Sequence, residues 1–282
     1  MNHSFLNHRS LWSLDTLSST DVSTLLDTAS ALKQATQEGR PQRLLRGKNI
    51  AVMCESPADP ALHAFTAAAS ALGAQVAHIR PSSSRITQPS ESHETAVVLG
   101  RLYDAIECEG MPLGLVQEVE RNAGRPVFNG LAAAIHPLRV LADLMTMREH
   151  SGKPLSKLKL CFVGNGNSPV GDAWLQSAAL TGLDLCMACP PEQSPQPERL
   201  QHAQRLASRT GASLRVVRPD EAPAQAVDFL WDEESASRCS DGRAELACAC
   251  DRARPGRHSP LGDEQVANHR FTLQALLCST IA

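Results

Sequence analysis

Residues 158–180 read LKLCFVGNGNSPVGDAWLQSAAL, and strand, turn and helix signals follow one another within them. Leu158–Val163 is a short, mainly apolar run, the pattern of a strand buried on both faces. Gly164-Asn165-Gly166 supplies a tight turn. Pro169–Leu180 then reads as a helix with proline in its first turn. A strand passing through a glycine turn into a helix opens a strand–helix–strand unit. The alternation continues with strand Leu183–Ala188, helix Glu198–Thr210 and strands Leu214–Val217 and Val227–Trp231.

The same alternation occupies the first half of the chain. Ile50–Cys54, Gln75–Ile79, Asp104–Cys108 and Pro126–Phe128 read as strands, separated by helices at Ala61–Leu72, Glu91–Leu102 and Leu113–Ala123. An amphipathic helix over Ser19–Gln37, capped by Ser19 or Thr20, precedes them. A long helix over Ile135–His150 follows, and Ser151-Gly152-Lys153-Pro154 is the clearest break in the chain. Asp263–Ile281 reads as a final helix. Residues 192–199 and 233–260 read as polar surface loops, the second partly disordered. The expectation is therefore two α/β domains, each with a largely parallel sheet flanked by helices and joined by long interdomain helices. Ligands of such sheets sit beyond the carboxyl ends of the strands, and the cleft between the domains is the default site.

Composition excludes several classes. The 282 residues carry 27 Lys+Arg against 30 Asp+Glu, a net charge of −3, so neither nucleic acid nor an anionic membrane is indicated. Aromatic residues make up 4%, too few for base-stacking platforms. No signal-peptide stretch opens the chain and no window reaches a membrane span. Nine scattered cysteines, several in strand-like runs, point to buried free thiols and a cytoplasmic protein. Cys186, Cys189, Cys248, Cys250 and His258 can be assembled into a zinc site on paper, but the first pair lies in a strand-like run; buried thiols are the simpler reading and no metal is expected. Gly164-Asn165-Gly166 is followed by Pro169 where a dinucleotide fingerprint needs glycine, so no nicotinamide cofactor is expected.

Several segments, in order, resemble the aspartate/ornithine carbamoyltransferase family, particularly its ornithine branch. Phe5-Leu6-Asn7 with the helix that follows is similar to the family's "FLxLxDLS" opening, and Glu94–Leu99 to "DTARVL". Asn129-Gly130-Leu131 with His136–Asp143 resembles "NGL…HPxQxLAD". Gly164–Ser168 resembles "GDGNN", and Ala267–Arg270 resembles "ENR". The resemblance implies a carbamoyl-phosphate-binding-like domain over 1–150, an amino-acid (ornithine)-binding-like domain over 151–262, and a C-terminal helix over 263–282 packing back on the first. It also implies a homotrimer or a mixed oligomer with a related carbamoyltransferase, no cofactor, and a small-molecule ligand, an amino acid or an anionic metabolite.

By the same resemblance, His136 polarises a carbonyl and Arg139 stands where the family has glutamine. Asn167, Ser168, Asp232, Asn268 and Arg270 fall at positions of the amino-acid side. The phosphate motif "STRTR" falls on Ala58, Asp59, Pro60, Ala61 and Leu62, and a further family arginine falls on Glu109. The "HCLP" loop has only Ala249–Arg252 as a candidate. Each charge-assisted arginine–phosphate contact contributes roughly 1.5–3 kcal/mol, so losing three removes on the order of 5–9 kcal/mol if additive. That corresponds to about four to six decades of affinity or rate. Two expectations follow. One is a non-catalytic member that binds a metabolite or pairs with an active relative. The other is a divergent transferase with a different donor, with His136 on its carbonyl and Arg139 receiving the anion. Against these stand a packing role for His136 and an internal salt bridge for Arg139, to Asp59 or Glu109.

Overall fold

A computed structural model of the chain describes residues 6–56, 59–88, 90–133, 136–222, 227–233, 245–248 and 260–282. It divides into two compact units. Unit 1 comprises Met1–Trp12, Asp27–His136 and Arg270–Ala282; unit 2 comprises Ser13–Leu26 and Pro137–His269.

Unit 1 is built on a parallel four-stranded sheet in the order β2-β1-β3-β4, with β1 at Asn49–Met53, β2 at Gln75–Ile79, β3 at Ala105–Cys108 and β4 at Val127–Asn129. Parallel neighbours require crossovers. These are helices α2 (Pro60–Ala71), α3 (Ser92–Leu102) and α4 (Leu113–Ala123). Strand β1 is buried from Ile50 to Met53, as a sheet covered on both faces demands. Ala51, Met53, Ile106 and Cys108 pack with Leu99 of α3 and with Val116 and Val119 of α4 in one cluster. Strand β3 breaks the apolar rule: Glu107 sits in the middle of the sheet at 1% exposure. Trp12 ties the N-terminal segment down through its indole N–H to the Val127 carbonyl, 2.8 Å away.

Unit 2 is built on a five-stranded sheet in the order β7-β6-β5-β8-β9. Its strands are β5 (Lys159–Val163), β6 (Asp184–Ala188), β7 (Leu214–Val217), β8 (Phe229–Asp232) and β9 (Glu245–Cys248). All pairs are parallel except β8 with β9. Helices α5 (Val140–Ser151), α6 (Pro169–Thr181) and α7 (Pro197–Thr210) belong to this unit. Phe162 and Trp231 stack at 5.0 Å between ring centroids, and Trp174 meets Trp231 edge-on at 6.2 Å. Helices α1 (Ser19–Gln37) and α8 (Pro260–Ile281) each contribute residues to both units.

Strand order and crossovers agree with the two-domain parallel α/β expectation. Four details differ. Strand β9 lies in the segment read as loop; its residues, Glu-Leu-Ala-Cys, include no β-branched side chain, so only pairing with β8 reveals it. The helix read as Ile135–His150 begins at Val140, after a 3₁₀ turn over Pro137–Arg139, because Pro137 interrupts the entry. Ser18, rather than Ser19 or Thr20, caps α1: its hydroxyl accepts from the Asp21 N–H at 3.1 Å while Asp21 accepts from the Ser18 N–H at 2.8 Å. The division between units falls between His136 and Pro137, not at 150. Helix α5 is buried from Val140 to Met147, and Arg148 donates to the Leu26 carbonyl at 2.9 Å, so it belongs with unit 2.

The contact between α3 and α4 in unit 1 depends on Gly100. A Cβ at Gly100 would collide with the Ala123 carbonyl at the end of α4. Gly100→Ala is expected to destabilise the protein by about 1–3 kcal/mol, an overpacking cost, measured as a lower urea midpoint with unchanged slope.

Candidate functional site

The carboxyl ends of β1, β3 and β4 gather the loops of unit 1 that matter. After β1 the chain runs through Cys54 to Asp59, the N-cap of α2. Its extended backbone (φ −67°, ψ 125°) lets Oδ1 accept the Ala61 N–H at 2.8 Å, and Pro60 follows in the first turn. Ala58 lies outside the described residues. Leu62, where the resemblance puts a second arginine of the motif, is 3% exposed and packs inward. A guanidinium at that position would have to leave water.

After β3, the Glu109 N–H donates to the Met53 carbonyl at 2.9 Å, which holds Glu109 beside the end of β1. After β4, Gly130 adopts φ +67° and its N–H donates to the Cys108 carbonyl at 3.0 Å. A Cβ on Gly130 would lie 3.6 and 3.7 Å from the two Glu109 carboxylate oxygens, so this carboxylate packs against bare backbone. Glu107 approaches the same turn from within the sheet: its Oε1 accepts the Leu131 N–H at 3.1 Å. Its Oε2 is sealed from solvent and has no hydrogen-bond partner.

Carboxyl groups gather here, and each disfavours the charge of the next. Burial and then Glu109 push the Glu107 carboxyl up to about 8. Burial and then Asp59 raise Glu109 above the usual carboxylate range. Burial raises the Cys54 thiol as well, and Asp59 and Glu109 add to the effect. His136 is 7% exposed and its imidazole is held down to about 4 by burial, so it is neutral at pH 7.

The remaining predicted site residues fall in three settings. Arg139 lies 3.2 Å from His269 Nδ1 and also acts on the carboxyl of Asp143, which accepts the Gln265 amide at 2.6 Å and is raised by burial to about 6. Asn268 is fully buried, donating to Thr146 Oγ1 at 3.0 Å and Glu149 Oε2 at 2.9 Å. Arg270 is exposed, its guanidinium 5.9 Å from the Phe271 ring centroid. Ser168 caps α6, accepting the Gly171 N–H at 3.0 Å and donating to the Asn165 carbonyl at 2.8 Å. The exposed Asn167 donates its N–H to Asn165 Oδ1 at 2.9 Å, and Asp232 ends β8. Glu233 follows and accepts the Asn165 N–H at 2.6 Å, occupying the mouth of the Gly164 turn.

Two features escaped the sequence reading. One is Glu107, which is legible as a charge inside an apolar strand run. The other is a pocket of about 330 Å³ in unit 2, lined by Asp15, Ser168, Asp172, Gln176 and Arg199 among others. There Arg199 pairs with Asp15 at 2.7 Å, and the Gln176 amide donates to both aspartates at 2.8 Å. These residues are distant in sequence and carry no motif. Cys161, Cys186 and Cys189 are buried free thiols, and no group of three potential metal ligands converges among the described residues. Cys250, His258 and the Ala249–Arg252 candidate lie outside them. No helix is long and apolar enough to cross a membrane, again among the described residues.

The sequence profile of the aspartate/ornithine carbamoyltransferase carbamoyl-phosphate binding domain matches residues 9–149. Over 225 residues the chain is 36% identical to the catabolic ornithine carbamoyltransferase of Pseudomonas putida, covering 80% of this chain and 67% of that one. Against the ornithine carbamoyltransferase of Cutibacterium acnes the identity is 37% with the same coverage. Among solved structures, ornithine carbamoyltransferase from Pyrococcus furiosus superposes with a TM-score of 0.78 at 23% identity, covering 98% of each chain. Aspartate transcarbamoylase from Trypanosoma cruzi reaches 0.76 at 18% identity over 100% of this chain and 99% of that one. Both superpositions speak for the fold.

Glu107 provides a test of this local electrostatics. Its carboxyl ionises near 4.5 when unfolded but near 8 when folded, so its contribution to stability falls as pH rises between those values. Glu107→Gln keeps an acceptor for the Leu131 N–H and removes the ionisation. Its melting temperature is expected to gain on the wild type by several degrees between pH 5 and pH 8, read by thermal denaturation at both.

Proposed function

Because this chain belongs to the aspartate/ornithine carbamoyltransferase family, we propose that it is an ornithine carbamoyltransferase-like protein whose anion site has been inverted. On this reading it lacks ordinary citrulline-forming activity and acts as a metabolite-binding or partner subunit. The observation that carries the reading is that Asp59 caps α2 and Glu109 packs against the Gly130 turn, both at the carboxyl end of the unit 1 sheet. A dianionic phosphate brought there meets carboxylates instead of the guanidinium groups the family pattern supplies. The amides of the α2 N-terminus contribute only about 0.3–1 kcal/mol to an anion, and Asp59 already engages the Ala61 amide. Pro60 has no N–H to offer.

In this reading Arg139 is an internal pairing partner, with His269 and Asp143, and Asn268 is a packing residue. Asn167, Ser168, Asp232 and Arg270 remain the candidates for an amino-acid side. The family pattern also motivates the cytoplasmic homotrimer, or mixed oligomer, expected from the sequence.

His136 supports a second reading. A buried, neutral imidazole at pH 7 can donate a hydrogen bond to a carbonyl oxygen. A divergent transferase that takes a carbamoyl-like group from a donor without a phosphate dianion would use it so.

The two readings separate in one experiment. Purified protein is assayed for citrulline with carbamoyl phosphate and ornithine beside an ordinary family member. The first reading expects product formation at least ~10⁴-fold lower; turnover within tenfold of the reference overturns it. The second expects that an uncharged carbamoyl donor gives product which His136→Ala abolishes.

A further inference from the structure

The cavity of about 330 Å³ is lined wholly by residues of unit 2 and is large enough for a small ligand. Asp15 of the N-terminal segment, Asp172 and Gln176 of α6, and Arg199 of α7 bond to one another along its wall. Arg199 donates to Asp15 Oδ1 at 2.7 Å and lies 3.5 Å from Asp172 Oδ2. Gln176, at 4% exposure, donates its amide hydrogens to both carboxylates at 2.8 Å. The family pattern assigns a role to none of these four positions. Ser168 also lines the cavity, but it is engaged in capping α6 and bonding the Asn165 carbonyl.

The wall has acceptors in surplus. Both amide hydrogens of Gln176 and both terminal nitrogens of Arg199 already face carboxylates. Gln176 Oε1 takes part in none of these bonds, and Asp15 Oδ2 accepts only the Ser13 hydroxyl, at 3.0 Å. An amide carbonyl on so buried a side chain is costly without a donor, and a ligand that donates removes that cost. Charge points the same way. Among the described residues lining the cavity, Arg199 is the one basic group against two carboxylates. Burial raises the Asp172 carboxyl above its ordinary range; Arg199 draws it down, and Asp15 lifts it again. The complement of this wall is a cation that donates hydrogen bonds.

Two further observations restrict the cation. No group of three His, Cys, Asp or Glu side chains converges among the described residues, so the wall is not a metal cage. Pro137, Pro169 and Pro195 give the cavity stiff apolar sides, against which a short alkyl chain packs. An ammonium is a compact charge with three donors, enough to bridge acceptors on different segments. We propose that Asp15, Asp172 and Gln176 form a binding site in unit 2 for a small alkylammonium compound. Asp15 Oδ2 and Gln176 Oε1 accept its hydrogens, Asp172 supplies field, and the exposed Arg199 competes for the same carboxylates. The site uses none of the unit 1 carboxylates and holds whether or not citrulline is formed.

Isothermal titration of the full chain with n-butylamine hydrochloride, tetramethylammonium chloride, sodium butyrate and magnesium chloride tests it. Butylammonium is expected to bind more tightly than the other three; tetramethylammonium carries the charge without an N–H donor. Asp15→Asn and Gln176→Met are each expected to weaken it about tenfold or more. Arg199→Gln removes the competing cation and is expected to tighten it severalfold, whereas an anion site would lose binding. Asp15 and Arg199 are exposed, so their variants keep the test decisive where Gln176→Met disturbs α6. The exposed Asp220→Asn changes charge outside the cavity and is expected to leave binding unaltered. Absence of butylammonium binding, equal or tighter binding of any of the other three, an unchanged affinity in Asp15→Asn, or weaker binding in Arg199→Gln each overturn the proposal.

Discussion

Parallel pairing of β1 with both β2 and β3 is the constraint from which the rest of unit 1 follows. Every strand of a parallel sheet must enter at the same end, so each return path is a crossover, and each crossover begins at the same rim. The segments leaving Met53, Cys108 and Asn129 are therefore brought together without any attraction between them. Residues 54–56, 109–112 and 130–133 share a neighbourhood because backbone hydrogen bonding in the sheet leaves them nowhere else to start. Whatever side chains those segments carry, complementary or repelling, must coexist there. Stability of the apolar layers beneath Ala51, Met53, Ile106 and Cys108 is what permits like charges to be held at the rim.

Most of the fold was legible because parallel strands buried on two faces advertise themselves as apolar runs. Ile50–Met53, Leu160–Val163 and Leu185–Ala188 need no context to be recognised. Helix ends are legible where chemistry marks them, as at Pro169, which opens α6. Strand β9 was not, because an edge strand of four residues draws its stability from β8 and leaves little local signature. The unit boundary was misplaced for a related reason: a proline–glycine break marks where a chain turns, whereas membership of a unit depends on which surface a helix buries. Helix α5 is buried on every side from Val140 to Met147, and a hydrophobic pattern with no polar face cannot say which partner it packs against.

The site was legible only in part, and through chemistry rather than periodicity. Asp59 and Glu109 drew notice because they fall where the family pattern has a hydroxyl and an arginine. Glu107 drew none, although it is the most deeply placed of the three, because a single charge in a four-residue strand resembles an alternating pattern. The pocket around Arg199 was invisible for another reason. Asp15, Asp172 and Arg199 are brought together by tertiary packing alone. In unit 2 much of the polar equipment is turned inward: Ser168 caps its own helix, Asn268 bonds Thr146 and Glu149, and Glu233 holds the Asn165 amide. Groups engaged in this way are held still, which is useful for a scaffold and an obstacle for a residue that must meet a substrate.

Asp59 shows how little a fold resists a change of this kind. The position must cap α2, and threonine, which the family pattern places there, and aspartate both meet that demand through a side-chain oxygen. The helix therefore cannot distinguish a neutral cap from a negatively charged one, although an incoming anion can. Leu62 carries the opposite bias, since its side chain has joined the core and an arginine returning there would have to be expelled from it. Exchange at position 59 is structurally free in both directions, while exchange at position 62 works as a ratchet. The order in which two such substitutions arise then decides whether a lineage can still recover its earlier ligand.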